Sequence, residues 1–336
     1  MPLQVLLALL IIPFNVFAQL QFGTSKSLDI ITWNVEWFPK EDQITLNQMI
    51  PIIEELDADI IAFQEINSVS YFYQLADSLE NYSAYSTGTS GLNLSYFYKT
   101  SLEVDSIYTI FDSNDYNFAG RPPLILRLNY QSEDYYIINN HFKCCGNGQL
   151  DLNDSGDEEF RRFQAMNFLK SYIDQNLAND KVIILGDLND LIEDPITNNV
   201  FSSILNDSLN YMFADKYIPS MSSNSWSFPN WPSHLDHIII SNELFEGFDI
   251  ENDIQTIRLD IFLGSFQAYD NYISDHLPVG INIRSKTANI QENNNSSNKK
   301  LKYSLNFKGQ IIIPELHKPH IDVYNDGSYQ KKIILE

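Results

Sequence analysis

The chain contains 336 residues, of which 44% are hydrophobic and 13% aromatic, enough for one large domain or two modest ones with a sizeable core. The 19 Tyr and 21 Phe favour a β-rich protein, because aromatic side chains prefer strands. A formal net charge of −23 argues against capture of nucleic acid through a broad basic surface. It does not exclude an acidic enzyme that meets phosphate through bound divalent cations.

The N-terminus is typical of a secretory signal. An apolar run extends from Leu6 to Phe14, and Val16 and Ala18 place small residues at the usual cleavage positions. We therefore predict a signal peptide at residues 1–18, without Lys or Arg in its first part, and a secreted, periplasmic or cell-surface protein. A short core helix is the alternative. No later run reaches about 18 apolar residues, so we predict no membrane span.

The remaining pattern alternates strands with helices, and Pro51 marks either the start of the first helix or a kink in it. Because meanders lie between the helices, we predict an α/β fold, a four-layer α/β sandwich with two packed mixed or antiparallel β-sheets flanked by helices. The predicted helices cover 46–56, 70–79 and 158–176, and the predicted strands cover 28–33, 59–63, 94–98, 104–111, 124–130, 135–139, 182–185, 235–240 and 279–283.

Composition also divides the chain. Residues 27–286 form the predicted main domain, and the polar run at 287–300 cannot bury a core and is a predicted linker. Residues 301–336, with apolar stretches at 311–313 and 321–324, indicate a small β appendage. This segment weakly resembles the C-terminal sorting segments of secreted proteins from Bacteroidetes-type bacteria, and a plain additional hairpin explains it equally well.

The two cysteines, Cys144 and Cys145, are adjacent. Neighbouring cysteines bridge each other only through a strained ring, so we leave open a vicinal disulfide or two free thiols. A zinc site is disfavoured because there is no CxxC motif with a nearby set of histidines.

Polar residues that could bind a metal or act in catalysis lie next to strands at six places. Together they supply carboxylates for a hard divalent cation, amides for phosphate oxygens, and histidines, which suits hydrolysis of a phosphate ester. Each alone is a common turn former, and the pair after Leu185 also fits a turn with Asx capping. The G-x-S-x-G, GxxxxGK[ST] and GxGxxG motifs of other enzyme classes are absent. The six places are Asn34, Glu65, Asn140 with His141, Asp187 with Asn189, Asp236 with His237, and Asp275 with His276.

Seven motifs occur in the order found in the endonuclease/exonuclease/phosphatase superfamily, whose members resemble deoxyribonuclease I. The resemblance covers about residues 27 to 286 and implies the four-layer fold and metal-dependent phosphodiester hydrolysis. The motifs are Trp33-Asn34-Val35-Glu36, Gln64-Glu65, Arg121-Pro122-Pro123, Asn140-His141, Gly186-Asp187-Leu188-Asn189, Leu235-Asp236-His237 and Ser274-Asp275-His276-Leu277-Pro278.

The resemblance implies a metal site. Glu65 matches the principal Mg²⁺ ligand, with Asn34 beside it holding the metal or a phosphate oxygen. Asp275 either binds a metal or positions the neighbouring histidine. Mn²⁺ or Ca²⁺ are alternatives to Mg²⁺. Arg121 matches an arginine that supports this centre, and a surface salt bridge is its alternative role.

The resemblance also implies catalytic roles. Asp187 matches the residue that orients or deprotonates the attacking water, and Asn189 matches one that hydrogen-bonds the phosphoryl oxygen. His276 is expected to act on the scissile phosphate, with Asp236 as the carboxylate that orients and charges it. His141 matches a second catalytic histidine, an acid or electrostatic stabiliser of the leaving group.

Departures from the family pattern narrow the substrate. The apurinic-site repair branch generally has Tyr at the position of His141, and the deoxyribonuclease branch has Arg at that of Asn67. The Trp-Cys-Asp-Arg signature of the inositol-phosphatase branch is absent. We predict a monomeric, exported Mg²⁺-dependent phosphodiesterase, an extracellular endonuclease, whose partners are nucleic acid or another phosphodiester and the export machinery. The alternatives are a sphingomyelinase-like lipid phosphodiesterase and a catalytically silent surface-binding module.

Overall fold

The computed structural model describes residues 20, 22–88, 91–284, 300–306, 311–314, 319–324 and 329–333. The chain divides into two compact units, the first ending at Arg284 and the second beginning at Ser285. The predicted signal peptide at 1–18 and residues 287–299 of the predicted linker lie outside the described residues. In the part of the chain that is described, no helix has the length and apolar character needed to cross a bilayer.

Two six-stranded sheets form the first unit. In spatial order the first sheet consists of β11 (Ile254–Thr256), β12 (Val279–Arg284), β1 (Ser27–Phe38), β2 (Ile60–Ile66), β4 (Asn93–Lys99) and β3 (Tyr82–Ser86). The second consists of β5 (Glu103–Thr109), β6 (Leu124–Tyr130), β7 (Glu133–His141), β8 (Lys181–Asp187), β10 (Asp236–Ser241) and β9 (Tyr211–Phe213).

Each sheet contains one parallel pair at its centre, β1 with β2 and β7 with β8, while the other neighbours are antiparallel. A parallel connection needs a crossover, and a helix supplies it in both sheets. Helix α1 (Asp42–Leu56) joins the first pair and α3 (Glu158–Asn176) joins the second. At the start of α3, the Asp157 carboxylate accepts a hydrogen bond from the Phe160 N–H at 2.7 Å, and two acidic residues follow, which complements the helix dipole.

Three apolar layers separate the four layers of the sandwich. The middle layer lies between the sheets and contains Leu28, Ile60, Leu126 and Ile183, all fully buried. A second layer lies between the first sheet, α1 and α2 (Val69–Asp77), and a third lies between the second sheet and α3. The predicted four-layer α/β sandwich is therefore confirmed.

The structure corrects some element predictions. Helix α1 begins at Asp42, so Pro51 lies inside it and does not mark its start. The predicted meander does not stay in one sheet, because β4 belongs to the first sheet and β5 to the second. Strands β3, β9 and β11 were not predicted; β9 and β11 have three residues each, too few to show a clear alternation. The helical segments α4 (Ser202–Leu205), α5 (Leu259–Phe262) and α6 (Phe266–Tyr272) are similarly short.

The described residues of the second unit form a four-stranded sheet in the order β14-β13-β15-β16. Its strands are β13 (Leu301–Leu305), β14 (Ile311–Ile312), β15 (Pro319–Tyr324) and β16 (Tyr329–Ile333), and all pairings are antiparallel.

Candidate active site

The two parallel strand pairs bring four polar residues to one edge of the sandwich. Asn34 and Glu65 lie towards the carboxyl ends of β1 and β2, and His141 and Asp187 end β7 and β8. Parallel strands present their carboxyl ends at the same edge, so each sheet contributes two residues. Asp236 begins β10, which runs antiparallel to β8, and it pairs directly with Asp187. The start of one strand and the end of its neighbour therefore meet.

Two β-bulges direct side chains into this edge. Along β2, Phe63 pairs with Ser95 and Ile66 with Asn93, so β2 contains one extra residue, and Glu65 there has φ 65°. The neighbouring strand β1 has a register shift between Asn34 and Phe38. Bulges re-aim side chains and are frequent beside active sites, and a left-handed Glu is uncommon elsewhere.

Asn34 links the two central carboxylates. Its Nδ2 donates to Asp187 Oδ2 at 2.8 Å and to Glu65 Oε1 at 3.1 Å, while its Oδ1 accepts from the Glu36 N–H at 3.0 Å. His141 Nε2 lies 3.7 Å from Glu65 Oε1 and 3.6 Å from Asp187 Oδ2. One amide thus holds two acidic groups close together, and an imidazole faces both.

A histidine–aspartate pair adjoins these groups. His276 Nδ1 lies 2.7 Å from Asp236 Oδ2, and its Nε2 lies 3.9 Å from Asp187 Oδ2. The ring of Phe228 packs on the imidazole at a centroid distance of 4.6 Å. We call Glu65, His141, Asp187, Asp236 and His276 the open cluster, because all except Asp236 line a cleft of about 510 Å³.

Burial and charge shift the protonation of the open cluster. Burial by itself would lower the pKa of His276, but the charges of Asp236 and Asp187 raise that pKa to about 10. Burial raises the pKa of Asp187 to about 7, against the opposing effect of the His276 charge. Burial, with the positive charges of Arg121 and His276, lowers the pKa of His141 well below its usual value. At neutral pH, His276 is therefore cationic and His141 neutral.

The open cluster fits a hard divalent cation. One ligand atom each from Glu65, His141 and Asp187 lies within 4.8 Å of the others. Asp187, Asp236 and His276 are equally close together, but the protonated His276 ring cannot coordinate a metal. Carboxylate oxygens suit Mg²⁺, Mn²⁺ or Ca²⁺. Asp187 is only 2% exposed and shares Asn34 with a second carboxylate, so a cation would relieve a concentration of buried negative charge.

The other predicted site residues lie around this cluster. Asp275 lines the same cleft, and its Oδ1 is 4.0 Å from His276 Nε2. Asn189 also lines the cleft, but its φ of 55° and its N–H bond to Asp187 Oδ1 at 3.1 Å form a turn. The expected Asx turn and the expected site residue therefore coincide. Arg121 donates to the carbonyl oxygens of His141 (3.1 Å) and Phe142 (3.0 Å), and so braces the end of β7.

Two residues from the strand-end motifs lie elsewhere. Asn140 donates to the carbonyl oxygens of Ile138 and Leu185 and is buried away from the cluster. His237 faces a second group of side chains. Alternation along a strand explains both, because successive side chains point to opposite faces, so His141 and Asp236 face the site and their neighbours do not.

Sequence reasoning gave no role to several residues of the site. Glu36 Oε2 accepts from the Asp275 N–H at 2.9 Å and pairs with Lys40. Behind the cluster, Gln64 Nε2 donates to Asn139 Oδ1 at 2.7 Å and links the two sheets. Glu36 and Gln64 belong to the motifs that contain Asn34 and Glu65, and this closeness in sequence was the signal that could have indicated their roles.

Asp215, His234 and His237 form a sealed cluster, at most 1% exposed, that also has the composition of a cation site. Its hydrogen bonds indicate otherwise. The Ser227 N–H donates to His234 Nδ1 at 3.2 Å, so the proton of that neutral imidazole lies on Nε2, which donates to Asp215 Oδ2 at 3.0 Å. A protonated nitrogen cannot coordinate a metal.

His237 in the sealed cluster faces two acceptors. Its Nδ1 lies 2.6 Å from Asp215 Oδ2 and its Nε2 lies 2.9 Å from the Asp190 carbonyl oxygen. Both nitrogens therefore donate, which makes the ring an imidazolium. Burial opposes the charge, but Asp215 raises the pKa of His237, and the two histidines lower the pKa of Asp215 despite its burial. The sealed cluster is a buried ion pair.

Cys144 and Cys145 are exposed free cysteines, with their Sγ atoms 2.9 Å apart, and both line the cleft. Of the two states left open by the sequence, the structure contains the free thiols.

Comparison with known proteins agrees with this geometry. A model of the Endonuclease/Exonuclease/phosphatase family matches residues 31–276, a range that includes every predicted site residue. No curated protein sequence matches the chain.

Solved structures share the fold. They include D. rerio TDP2 complexed with a single strand DNA product (14% identity, TM-score 0.55, 78% of this chain and 100% of that chain covered). The endonuclease/exonuclease/phosphatase from Bacteroides vulgatus has 14% identity and a TM-score of 0.53, with 76% of this chain and 98% of that chain covered. An AP endonuclease from Archaeoglobus fulgidus has 17% identity and a TM-score of 0.51, with 75% of this chain and 98% of that chain covered. At these identities the likeness shows the fold alone.

Proposed function

The chain belongs to the Endonuclease/Exonuclease/phosphatase family, and from that premise we propose that it is an exported, divalent-metal-dependent phosphodiesterase that cleaves nucleic acid as an endonuclease. One observation carries the hydrolytic part. The His276–Asp236 pair and the Glu65–His141 group meet at a single buried carboxylate, Asp187, with all contacts between 2.7 and 3.9 Å.

We assign the metal ligands to Glu65 and to Asp275, which lines the same cleft. When bound there, a divalent cation supplies positive charge against the phosphoryl oxygens. The residues of this chain perform the remaining work. Asn34 holds the carboxylates of Glu65 and Asp187 close together. Asp187, with its pKa near neutrality, orients the attacking water and accepts a proton from it.

His276 carries its proton at neutral pH, so its role is that of a cationic donor to the phosphoryl group as negative charge builds. Asp236 fixes the ring through Nδ1, which leaves Nε2 directed towards Asp187. The neutral ring of His141 acts through a hydrogen bond or coordination, because its low pKa removes the charge needed for an electrostatic role. To Asn189, which lines the cleft, we assign donation of a hydrogen bond to a phosphoryl oxygen.

Nucleic acid is the proposed substrate because the structurally similar D. rerio TDP2 was solved with a single strand DNA product. Export is proposed from the apolar run at residues 6–14, and sequencing the N-terminus of protein recovered from the culture medium tests it.

A substrate panel tests the function. Purified protein is incubated with plasmid DNA, RNA and sphingomyelin, each with Mg²⁺, Mn²⁺ or Ca²⁺, beside the variants Asp187→Asn and His276→Ala. We expect metal-dependent cleavage of nucleic acid that both variants lose. Intact nucleic acid under every condition contradicts the nuclease proposal, and choline release from sphingomyelin would assign the alternative lipid phosphodiesterase.

A further inference from the structure

Two exposed tryptophans, Trp37 and Trp231, border the cleft that contains the open cluster. Trp37 is 59% exposed and Trp231 is 78% exposed. Burial of an indole contributes strongly to folding, so an exposed indole at a cleft rim is available to a ligand. Phe228, packed on His276, lines the same cleft and adds a third aromatic side chain to it.

The backbone presents Trp37 at some conformational cost. Asn34 pairs with Gln64 and Phe38 with Ile66, so β1 uses two more residues than β2 over the same distance and bulges there. Glu36 and Trp37 have φ values of 33° and 54°, both left-handed. The Trp37 N–H donates to Glu65 Oε2 at 3.1 Å, so the proposed metal ligand holds the bulge in place. Strain that surrounding contacts maintain beside an active site points to a role for the presented side chain.

The charges around the cleft disfavour binding of several successive backbone phosphates. Its lining carries seven carboxylates and one arginine. That arginine, Arg162, is buried and bonded to Asp190 at 2.8 Å. Nearby, Lys40 pairs with Asp270, Arg121 is bonded to carbonyl oxygens, and Lys143 lies 4.0 Å from Glu158. Among residues 22–88 and 91–284, each basic group beside the cleft therefore already has a partner, and further phosphates would meet mainly acidic residues.

We propose that Trp37 and Trp231 stack against an unpaired nucleobase next to the scissile phosphodiester, so that the cleft takes single-stranded rather than duplex nucleic acid. This inference rests on the proposed nuclease function. A neutral, flat base needs no cation, and stacking on aromatic side chains is the usual way of holding it. Within a duplex both faces of a base are covered by its neighbours, so the indoles would have nothing to contact.

Substitution of the indoles tests stacking. We expect Trp37→Leu and Trp231→Leu each to raise KM for a single-stranded oligonucleotide about tenfold, with kcat within about twofold, since stacking is worth about that much per base. The flat-ring variants Trp37→Phe and Trp231→Phe should recover most of the affinity. Tyr217→Ala, which removes an exposed aromatic outside the cleft lining, should leave KM unchanged. Unchanged KM in both Leu variants overturns the proposal.

Salt dependence and strandedness give a second test. If one phosphate is engaged, log(kcat/KM) should fall with log[salt] with a slope of about −0.7, whereas six contacts on duplex DNA would give about −5. The wild-type protein should cleave single strands at least about tenfold faster than the same sequence as a duplex. A steep slope or a preference for duplex overturns this inference while the nuclease function stands.

Other outcomes separate the two proposals. A wild-type protein that cleaves no nucleic acid with any of the three cations defeats the proposed function itself. Hydrolysis of sphingomyelin vesicles that the Leu variants lose, with oligonucleotides left intact, would assign the indoles to a lipid surface and overturn the stacking proposal.

Discussion

The open cluster and the sealed cluster contain the same kinds of side chain, yet only the open cluster has buried polar atoms without a hydrogen-bond partner. In the open cluster Asp236 Oδ1 and His141 Nδ1 are buried without a hydrogen-bond partner. In the sealed cluster Asp215 Oδ1 accepts from the Ile238 N–H, and both histidines have partners at both nitrogens. Buried polar groups normally have hydrogen-bond partners, so the unpartnered atoms of the open cluster mark it as the cluster that is ready for a ligand.

The comparison also separates activity from stability. The open cluster faces a cleft and concentrates negative charge, which costs stability until a cation binds. The sealed cluster joins three segments that hold the active site, through Asp215, the carbonyl of Asp190 and the start of β10. We therefore expect substitutions in the first to remove activity and substitutions in the second to reduce the free energy of unfolding.

The largest effect is expected for Asp187→Asn. It should lower kcat/KM about 10³-fold, since general-base and electrostatic contributions are of that order. The free energy of unfolding should stay within about 1 kcal/mol or rise, because a neutral amide avoids desolvation of a charge. Hydrolysis rates and urea titrations check this, with the exposed Asp154→Asn as control. A loss of fold, or an activity loss below tenfold, would contradict the division between the clusters.

Asp215→Asn should lower the free energy of unfolding by about 3 kcal/mol, because it leaves the buried His237 charge without its partner. The double variant Asp215→Asn/His237→Gln removes both charges and should recover part of that loss. Urea denaturation measures the effect. If the double variant is less stable than the single one, the ion-pair interpretation of the sealed cluster is wrong.

A divalent cation should stabilise the protein through the open cluster alone. At a cation concentration of 100 times Kd, the free energy of unfolding should rise by about 2.7 kcal/mol, and EDTA should reverse the rise. Glu65→Gln should abolish this response, whereas Asp215→Asn/His237→Gln should keep it. Thermal scans with and without Mg²⁺ provide the measurement. A response that depends on the sealed cluster would show that the cation binds there.

The smallest effect concerns pH. The pKa of His237 is raised in the folded state, so its stabilisation is complete below about pH 6.5 and is lost as pH rises through the folded pKa. The pKa of Asp215 is lowered, so its stabilisation is present above about pH 4 and is lost only in stronger acid.

Above pH 6.5, wild-type stability should therefore decline relative to Asp215→Asn/His237→Gln, by at most about 1.4 kcal/mol per pH unit. Urea midpoints from pH 6 to 10 measure the difference. Parallel curves for the two proteins would show that His237 is not protonated in the native state.

Much of the site was predictable because chemistry-bearing residues follow apolar strands. Asp187 follows Val182–Leu185, and His141 ends a strand as well, so their convergence at one edge was expected. The separation of Asp236 from His237 was also implicit in strand alternation. The bulges at Glu65 and Trp37 could not be predicted from the sequence. An extra residue in a strand moves a side chain to the other face, and no residue type in the sequence marks it.

By itself, the sequence determined most of the strands, the principal helices, and the acids, amides and histidines that follow the strands, since local periodicity and residue type decide these. Tertiary structure alone decided which cluster is open and which is sealed, and which tryptophans face solvent. Those properties depend on the partners that reach each polar atom, and the partners come from segments far apart in the chain, such as Asn34 and Asp187.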